Sequence, residues 1–270
     1  IVQAPWYVCL LAAMVCGAVW GAVPGIFKAY FNVNEVITSI MFNWIGLYLV
    51  NELMYNRISG MYDQKTTRTY KIASVSQGSL IPDLGLNAIF RTNSTTIAIF
   101  LAIIVAIIVA VILSKTTFGY ELKACGFNKD AAKYAGINEK RNIVLSMTIA
   151  GALAGMGAGF YFLSGASEWN PQVATALPAV GFNGIPVALL ALSNPIGVIF
   201  AALFVAHISV GGSYLPTKYY QPEIADFIVA VIIYLCAFVM LFKGMIGGML
   251  QKKKQRQDAE PVQRSGKGAK

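Results

Sequence analysis

The chain has 270 residues, 57% of them hydrophobic and 12% charged, with a mean hydropathy of +0.62 and a formal net charge of +9. A soluble domain is about 45–50% apolar and about a quarter charged, so these proportions exclude a water-soluble globule of this size, a disordered chain and a coiled coil. The positive balance does not indicate a nucleic-acid partner. Seven of the 21 Lys and Arg residues fall in 251–270, past the final apolar run, where basic residues report membrane orientation and attraction to anionic lipid.

A helix needs about 20 apolar residues to cross the hydrocarbon core. Charges divide the sequence into uncharged stretches at 1–27, 36–51, 92–114, 142–167, 169–217 and 227–242. The stretch 169–217 is long enough for two spans, broken near Ser193-Asn194-Pro195. The fold class is therefore all-α, a polytopic helical membrane protein with about seven spans, near 5–27, 35–52, 92–114, 141–165, 173–192, 195–214 and 223–243. One membrane domain covers 1–250, and 251–270 forms a basic, disordered tail.

The charge rule puts that tail in the cytoplasm. Counting back, loop 115–141 is cytoplasmic too, with six basic residues, and the first residue is outside. Segment 52–91 then lies outside, against the rule, with five basic residues. Residue 1 is Ile, and no charged region precedes the first apolar run, so the chain reads as a fragment or a processed product.

In the second span Thr38, Ser39 and Asn43 cluster beside Trp44. Polar side chains at membrane depth usually face the interior, which makes Thr38 and Asn43 candidates for lining a pathway. In loop 115–141, Asn128 can cap a short helix over 129–135 that Gly136 closes, and Asn138 can cap the next span. The result is a two-turn knob carrying the small residues Ala131, Ala132 and Ala135. It is either a solvated connector or a docking element for a cytoplasmic partner.

Gly151, Gly155 and Gly159 follow at i, i+4 and i+8 in the next span. Small residues at that spacing let helix backbones approach closely in lipid, within the chain or across a dimer. Pro178, Gly181, Gly184 and Pro186 interrupt the span at 173–192. Irregular backbone at that depth must line a cavity or be buried in protein. Phe182, Asn183 and Gly184 are accordingly pathway candidates, with a simple proline kink as the alternative.

His207, the only histidine, sits in an apolar run as a bundle residue or a proton relay. No acidic residue falls mid-span, where coupled carriers place one. No GxxxxGK[ST] phosphate loop is present, and the four cysteines lack metal-site spacing. The chain itself is thus expected to bind no metal and hydrolyse no nucleotide, which favours transport energised by a separate partner. A seven-span receptor and a secondary carrier are the rival classes.

The stretch 126–141, GFNKDAAKYAGINEKR, followed by 146–155, SMTIAGALAG, resembles the coupling-loop region of bacterial ATP-binding cassette importer permeases. The branch is the one shared by ribose-type sugar, branched-chain amino-acid and nucleoside importers. The stretches 28–43, KAYFNVNEVITSIMFN, and 181–190, GFNGIPVALL, with 194–197, NPIG, resemble the nucleoside permeases most closely. The likeness covers about residues 15 to 245, although Pro186 stands where such permeases carry a small residue.

The resemblance implies a non-enzymatic transport subunit of the bacterial cell membrane. It implies a second permease subunit, a cytoplasmic ATPase that holds the ATP and magnesium, and an extracytoplasmic substrate-binding lipoprotein. It also implies that Gly126, Asn128, Lys129, Asp130, Ala131, Ala132, Lys133, Tyr134, Ala135 and Gly136 form the coupling contact with the ATPase. Such permeases have further N-terminal spans, so an N-terminally truncated domain is expected.

Overall fold

The computed structural model describes residues 4–57, 62–63, 68–86, 95–165, 167–169, 177–214, 224, 227–232, 234–235 and 238. Among them, five helices are long and apolar enough to cross a membrane: Trp6–Phe31, Glu35–Tyr55, Ala98–Lys115, Glu139–Leu163 and Pro195–Gly212. The span expected at 173–192 is instead a pair of short helices that part at Asn183; its first part, 173–176, lies outside the described residues. The span at 223–243 is helical over 227–232 and otherwise lies largely outside them, as does the whole tail at 251–270.

Helix α1, Trp6–Phe31, ends at Asn32, whose left-handed φ of 52° turns its N–H back onto the Phe27 carbonyl. Pro24 sits inside it and has no N–H to give to the preceding turn. Helix α2, Glu35–Glu52, starts where the Asn34 side chain accepts the Val36 N–H at 2.9 Å, and it runs on as a π turn over Leu53–Arg57. A two-residue ribbon then pairs β1, Tyr62–Asp63, antiparallel with β2, Arg68–Thr69. After α3, Ile72–Val75, and a 3₁₀ turn at Gln77–Ser79 come α4, Ala98–Lys115, and α5, Thr117–Phe127. Helices α6, Lys129–Tyr134, and α7, Glu139–Leu163, complete this part. Further along come α8, Ala179–Phe182, α9, Gly184–Leu190, and α10, Pro195–Ser213.

The chain divides into two compact units, Ile1–Ala179 and Val180–Lys270. In the first, α7 runs antiparallel to α1: Gly17 meets Gly155, Gly21 meets Gly151, and Gly25 meets Val144 and Met147. The α1–α2 turn at 32–34 therefore shares one end of the unit with segment 116–138, the loop end. The ribbon and α3 lie at the opposite, strap end, where Ile81 (3% exposed), Ala98 and Leu163 form a buried cluster flanked by Trp6, Leu10 and Phe160. Large apolar side chains elsewhere on the spans, such as Ile104, Ile108 and Val111, remain about half exposed, as surfaces solvated by lipid tails do.

In the second unit, Leu192 and Ser193 take positive φ values of 53° and 57° before Asn194 caps α10. The Asn194 side chain accepts the Ile196 and Gly197 N–H groups at 3.0 and 3.4 Å, and Pro195 occupies the first turn, where its missing donor costs nothing.

Candidate functional site

Segment 116–138 is more structured than a connector with one short helix. The Thr116 hydroxyl donates to the Ile112 carbonyl at 2.6 Å and accepts the Gly119 N–H at 3.1 Å, ending α4 and capping α5. Helix α5 folds back so tightly that a Cβ on Gly119 would lie 2.6 Å from the Leu113 α-carbon. Sequence reasoning missed α5; its signal was a Thr cap followed by the helix formers Glu121, Leu122, Lys123 and Ala124.

Asn128 separates α5 from α6 and accepts the Ala131 N–H at 3.1 Å. At the other end Gly136 takes φ +79°, its N–H reaching the Lys133 carbonyl and the Ile137 N–H reaching the Ala132 carbonyl, both at 3.0 Å. That double bond pattern is a Schellman closure. It leaves Ala135 just past the helix rather than inside it. Asn138 then accepts the Arg141 N–H at 3.1 Å to start α7.

Two anchors hold this segment to the chain. Asn142, 2% exposed, donates its amide to Glu121 Oε2 at 3.3 Å and Cys125 Sγ at 3.6 Å, tying the first turn of α7 to α5. Ala132, 4% exposed, packs α6 inward. Of the three alanines expected on the surface of the knob, Ala132 therefore faces the chain, because one side of so short a helix must be buried to order it. Gly126, Lys129, Asp130, Ala131, Lys133, Ala135 and Gly136 are exposed, and Phe127 and Tyr134 are 91% and 93% exposed. The α1–α2 turn lies at the same end, with Lys28 Nζ 2.6 Å from Glu35 Oε2 and Lys140 Nζ 5.3 Å from the centre of the Tyr30 ring.

Gly151, Gly155 and Gly159 form a seam against α1. A Cβ on Gly151 would lie 2.9 Å from the Gly21 α-carbon, one on Gly155 3.1 Å from the Gly17 α-carbon, and one on Gly159 2.8 Å from Leu10 Cδ1. The matching face of α1, Gly17, Gly21 and Gly25, has the same four-residue spacing. At the strap end the Thr69 N–H donates to the Trp169 carbonyl at 2.9 Å, and the Trp169 indole donates to Asn51 Oδ1 at 3.0 Å. Glu168 lies between Arg68 and Lys71, at 3.9 and 3.7 Å.

The pathway candidates fall in different surroundings. Thr38 is buried and its hydroxyl donates to the Asn34 carbonyl at 2.9 Å, so its polar group is satisfied within α2. Asn43 is exposed on the same helix. Phe182, Asn183 and Gly184 are exposed at the break between α8 and α9. His207 is exposed on α10. Among the described residues no group of three or more His, Cys, Asp or Glu could hold a metal ion.

A protein-family profile described as branched-chain amino acid transport system / permease component matches residues 1–237. The chain is 35% identical to the nucleoside ABC transporter permease protein NupB of Lactococcus lactis, over 96% of this chain and 70% of that protein. It is 35% identical to the guanosine ABC transporter permease protein NupP of Bacillus subtilis, over 90% and 68%. The glucose ABC transporter permease protein TsgB13 of Haloferax volcanii is 29% identical, over 83% of this chain and 58% of that protein. No solved structure matches the chain.

Proposed function

We propose, from the premise that this chain belongs to the branched-chain amino acid transport permease family, that it is the translocating membrane subunit of an ATP-binding cassette importer for nucleosides. The observation that carries the substrate is the likeness to two nucleoside permeases, each 35% identical over at least 90% of this chain, against 29% for the glucose permease. Simple sugars and branched-chain amino acids are not favoured. The chain is a multi-pass membrane protein and a transport component, not an enzyme.

Its partners in this reading are a cytoplasmic ATPase, which holds ATP and magnesium, an extracytoplasmic substrate-binding lipoprotein and a second permease. Bacillus subtilis has a second guanosine permease protein, NupQ, 28% identical to this chain, which supports pairing of two homologous permeases. The loop end faces the cytoplasm together with the basic tail, and the strap end faces outside.

Segment 126–136 then meets the ATPase. Its usable surface is Phe127 and Tyr134 among Lys129, Asp130 and Lys133, since Ala132 is turned inward. Exposed aromatics ringed by polar groups are the usual anchors of a protein interface. For the pathway, Asn43 stands next to Trp44 and Asn183 next to Phe182. The exposed amides of Asn43 and Asn183 each offer a partner to the hydrogen-bonding edge of a nucleobase. Displacement of α6 would shift α4 and α7 and so switch the pathway between outward and inward access.

The test is uptake by proteoliposomes that contain the full assembly. Guanosine and adenosine accumulate with ATP, while ribose and leucine do not. Uptake of ribose without nucleosides overturns the substrate, and uptake without any ATPase subunit overturns the class.

A further inference from the structure

We infer that α1 and α7 travel through the transport cycle as one strut, carrying a displacement of segment 116–138 to the strap end without sliding past each other. This rests on the reading of an ATP-driven cycle given above. Three independent features of the first unit support it.

The seam is backbone against backbone on successive turns. A Cβ on Gly17 would lie 2.9 Å from the Gly155 α-carbon, and one on Gly21 2.8 Å from the Gly151 α-carbon. Glycines recur every four residues on both helices, so small meets small again only after a slide of about 6 Å at 1.5 Å per residue. Any smaller slide drives Val, Met or Leu side chains into a gap that does not admit a methyl group.

Both ends of the pair are clamped. At the strap end a single turn holds both helices: Ser79 Oγ donates to the Ala4 carbonyl before α1 at 2.6 Å, and the Ile81 N–H donates to the Leu163 carbonyl ending α7 at 3.1 Å. At the loop end Lys140 of α7 lies over Tyr30 of α1, and Asn142 fastens α7 to α5.

The contact between α1 and α2 is of another kind. It runs through side chains, with Phe42 against Trp20 and Phe27 at ring-centroid distances of 5.7 and 6.2 Å. Rings can shear by changing rotamer, whereas a backbone seam cannot. Relative motion in this unit therefore belongs between α1 and α2.

The experiment joins Ala13→Cys to Gly159→Cys in the reconstituted assembly, with the native cysteines replaced. A Cβ on Gly159 would lie 3.5 Å from Ala13 Cβ, within the disulfide range of about 3.5–4.5 Å, and 2.8 Å from Leu10 Cδ1, a flexible side-chain end that can turn aside, unlike the backbone that faces Gly151 and Gly155. The expected result is equal ATP-driven nucleoside uptake in the oxidised and reduced states. Uptake arrested by oxidation and restored by reductant overturns the strut while leaving the transport reading intact.

A second measurement decides the matter where the double variant does not transport. Spin labels at Val19 on α1 and Tyr161 on α7, both exposed, keep one separation with and without ATP. Labels at Val19 and Tyr48 on α2 change theirs. A Val19–Tyr161 separation that shifts with ATP overturns the strut. A wild-type assembly that takes up no nucleoside overturns the transport reading instead, and the label distances then test the strut alone.

Discussion

Gly21 of α1 and Gly151 of α7 meet so closely that a Cβ on Gly21 would lie 2.8 Å from the Gly151 α-carbon. Gly151→Val therefore forces the helices apart, and overpacking of this kind costs about 1–3 kcal/mol or more. Gly157, six residues further along α7, has nothing within 4 Å of an added Cβ. Gly157→Ala should be neutral or stabilising by up to about 1 kcal/mol through helix propensity. Thermal unfolding of the two variants in detergent checks the contrast: a lower midpoint for Gly151→Val and none for Gly157→Ala.

Phe127 and Tyr134 touch little of their own chain, so Phe127→Ala and Tyr134→Ala should leave its thermal midpoint unchanged. Interface anchors of this type cost about 2 kcal/mol or more when truncated. Co-purification with the ATPase should fall accordingly. Ala132→Asp acts differently, because it buries a carboxylate where α6 packs inward; it should lower stability as well as ATPase binding. Unchanged ATPase association in both aromatic variants would remove the docking role from this face.

Asn142 joins the first turn of α7 to Glu121 and Cys125 of α5. Asn142→Leu removes the donor and leaves these acceptors unmatched, a penalty of about 1–3 kcal/mol for a buried group. The expected phenotype is uncoupling: ATP hydrolysis by the assembly continues while nucleoside uptake per ATP falls. Hydrolysis and uptake measured on one preparation distinguish this from simple loss of assembly.

Five of the seven spans were legible because charge-free windows of membrane-crossing length leave few alternatives, and the caps at Asn128 and Asn138 because an Asn before a helical run serves its orphan N–H groups. The seam was half legible. Gly151, Gly155 and Gly159 announce a close approach, but spacing on one helix does not identify its mate, and Gly17 and Gly21 lie more than 120 residues away. The inward turn of Ala132 was not legible, since α6 is only six residues long and its alanines look alike in sequence. Nor was the strap, whose Thr69–Trp169 pairing joins residues 100 positions apart. The Thr38 hydroxyl's bond to the Asn34 carbonyl was not legible either, because a hydroxyl's bond to its own helix is invisible in composition.

Gly136 offers the sharpest test of how the coupling segment is built. Its φ of +79° closes α6, yet an added Cβ would meet nothing within 4 Å. A substitution there acts through backbone conformation alone. Gly136→Ala should cost about 1–2 kcal/mol, the usual penalty for an L-residue in the left-handed region. Gly136→Asn should cost less, since Asn visits that region several-fold more often, and β-branched Gly136→Val more. Limited proteolysis of segment 126–141 and ATPase co-purification should follow the order Gly, Asn, Ala, Val. Equal behaviour of the four proteins would mean that the Schellman closure at 133–137 does not order the segment.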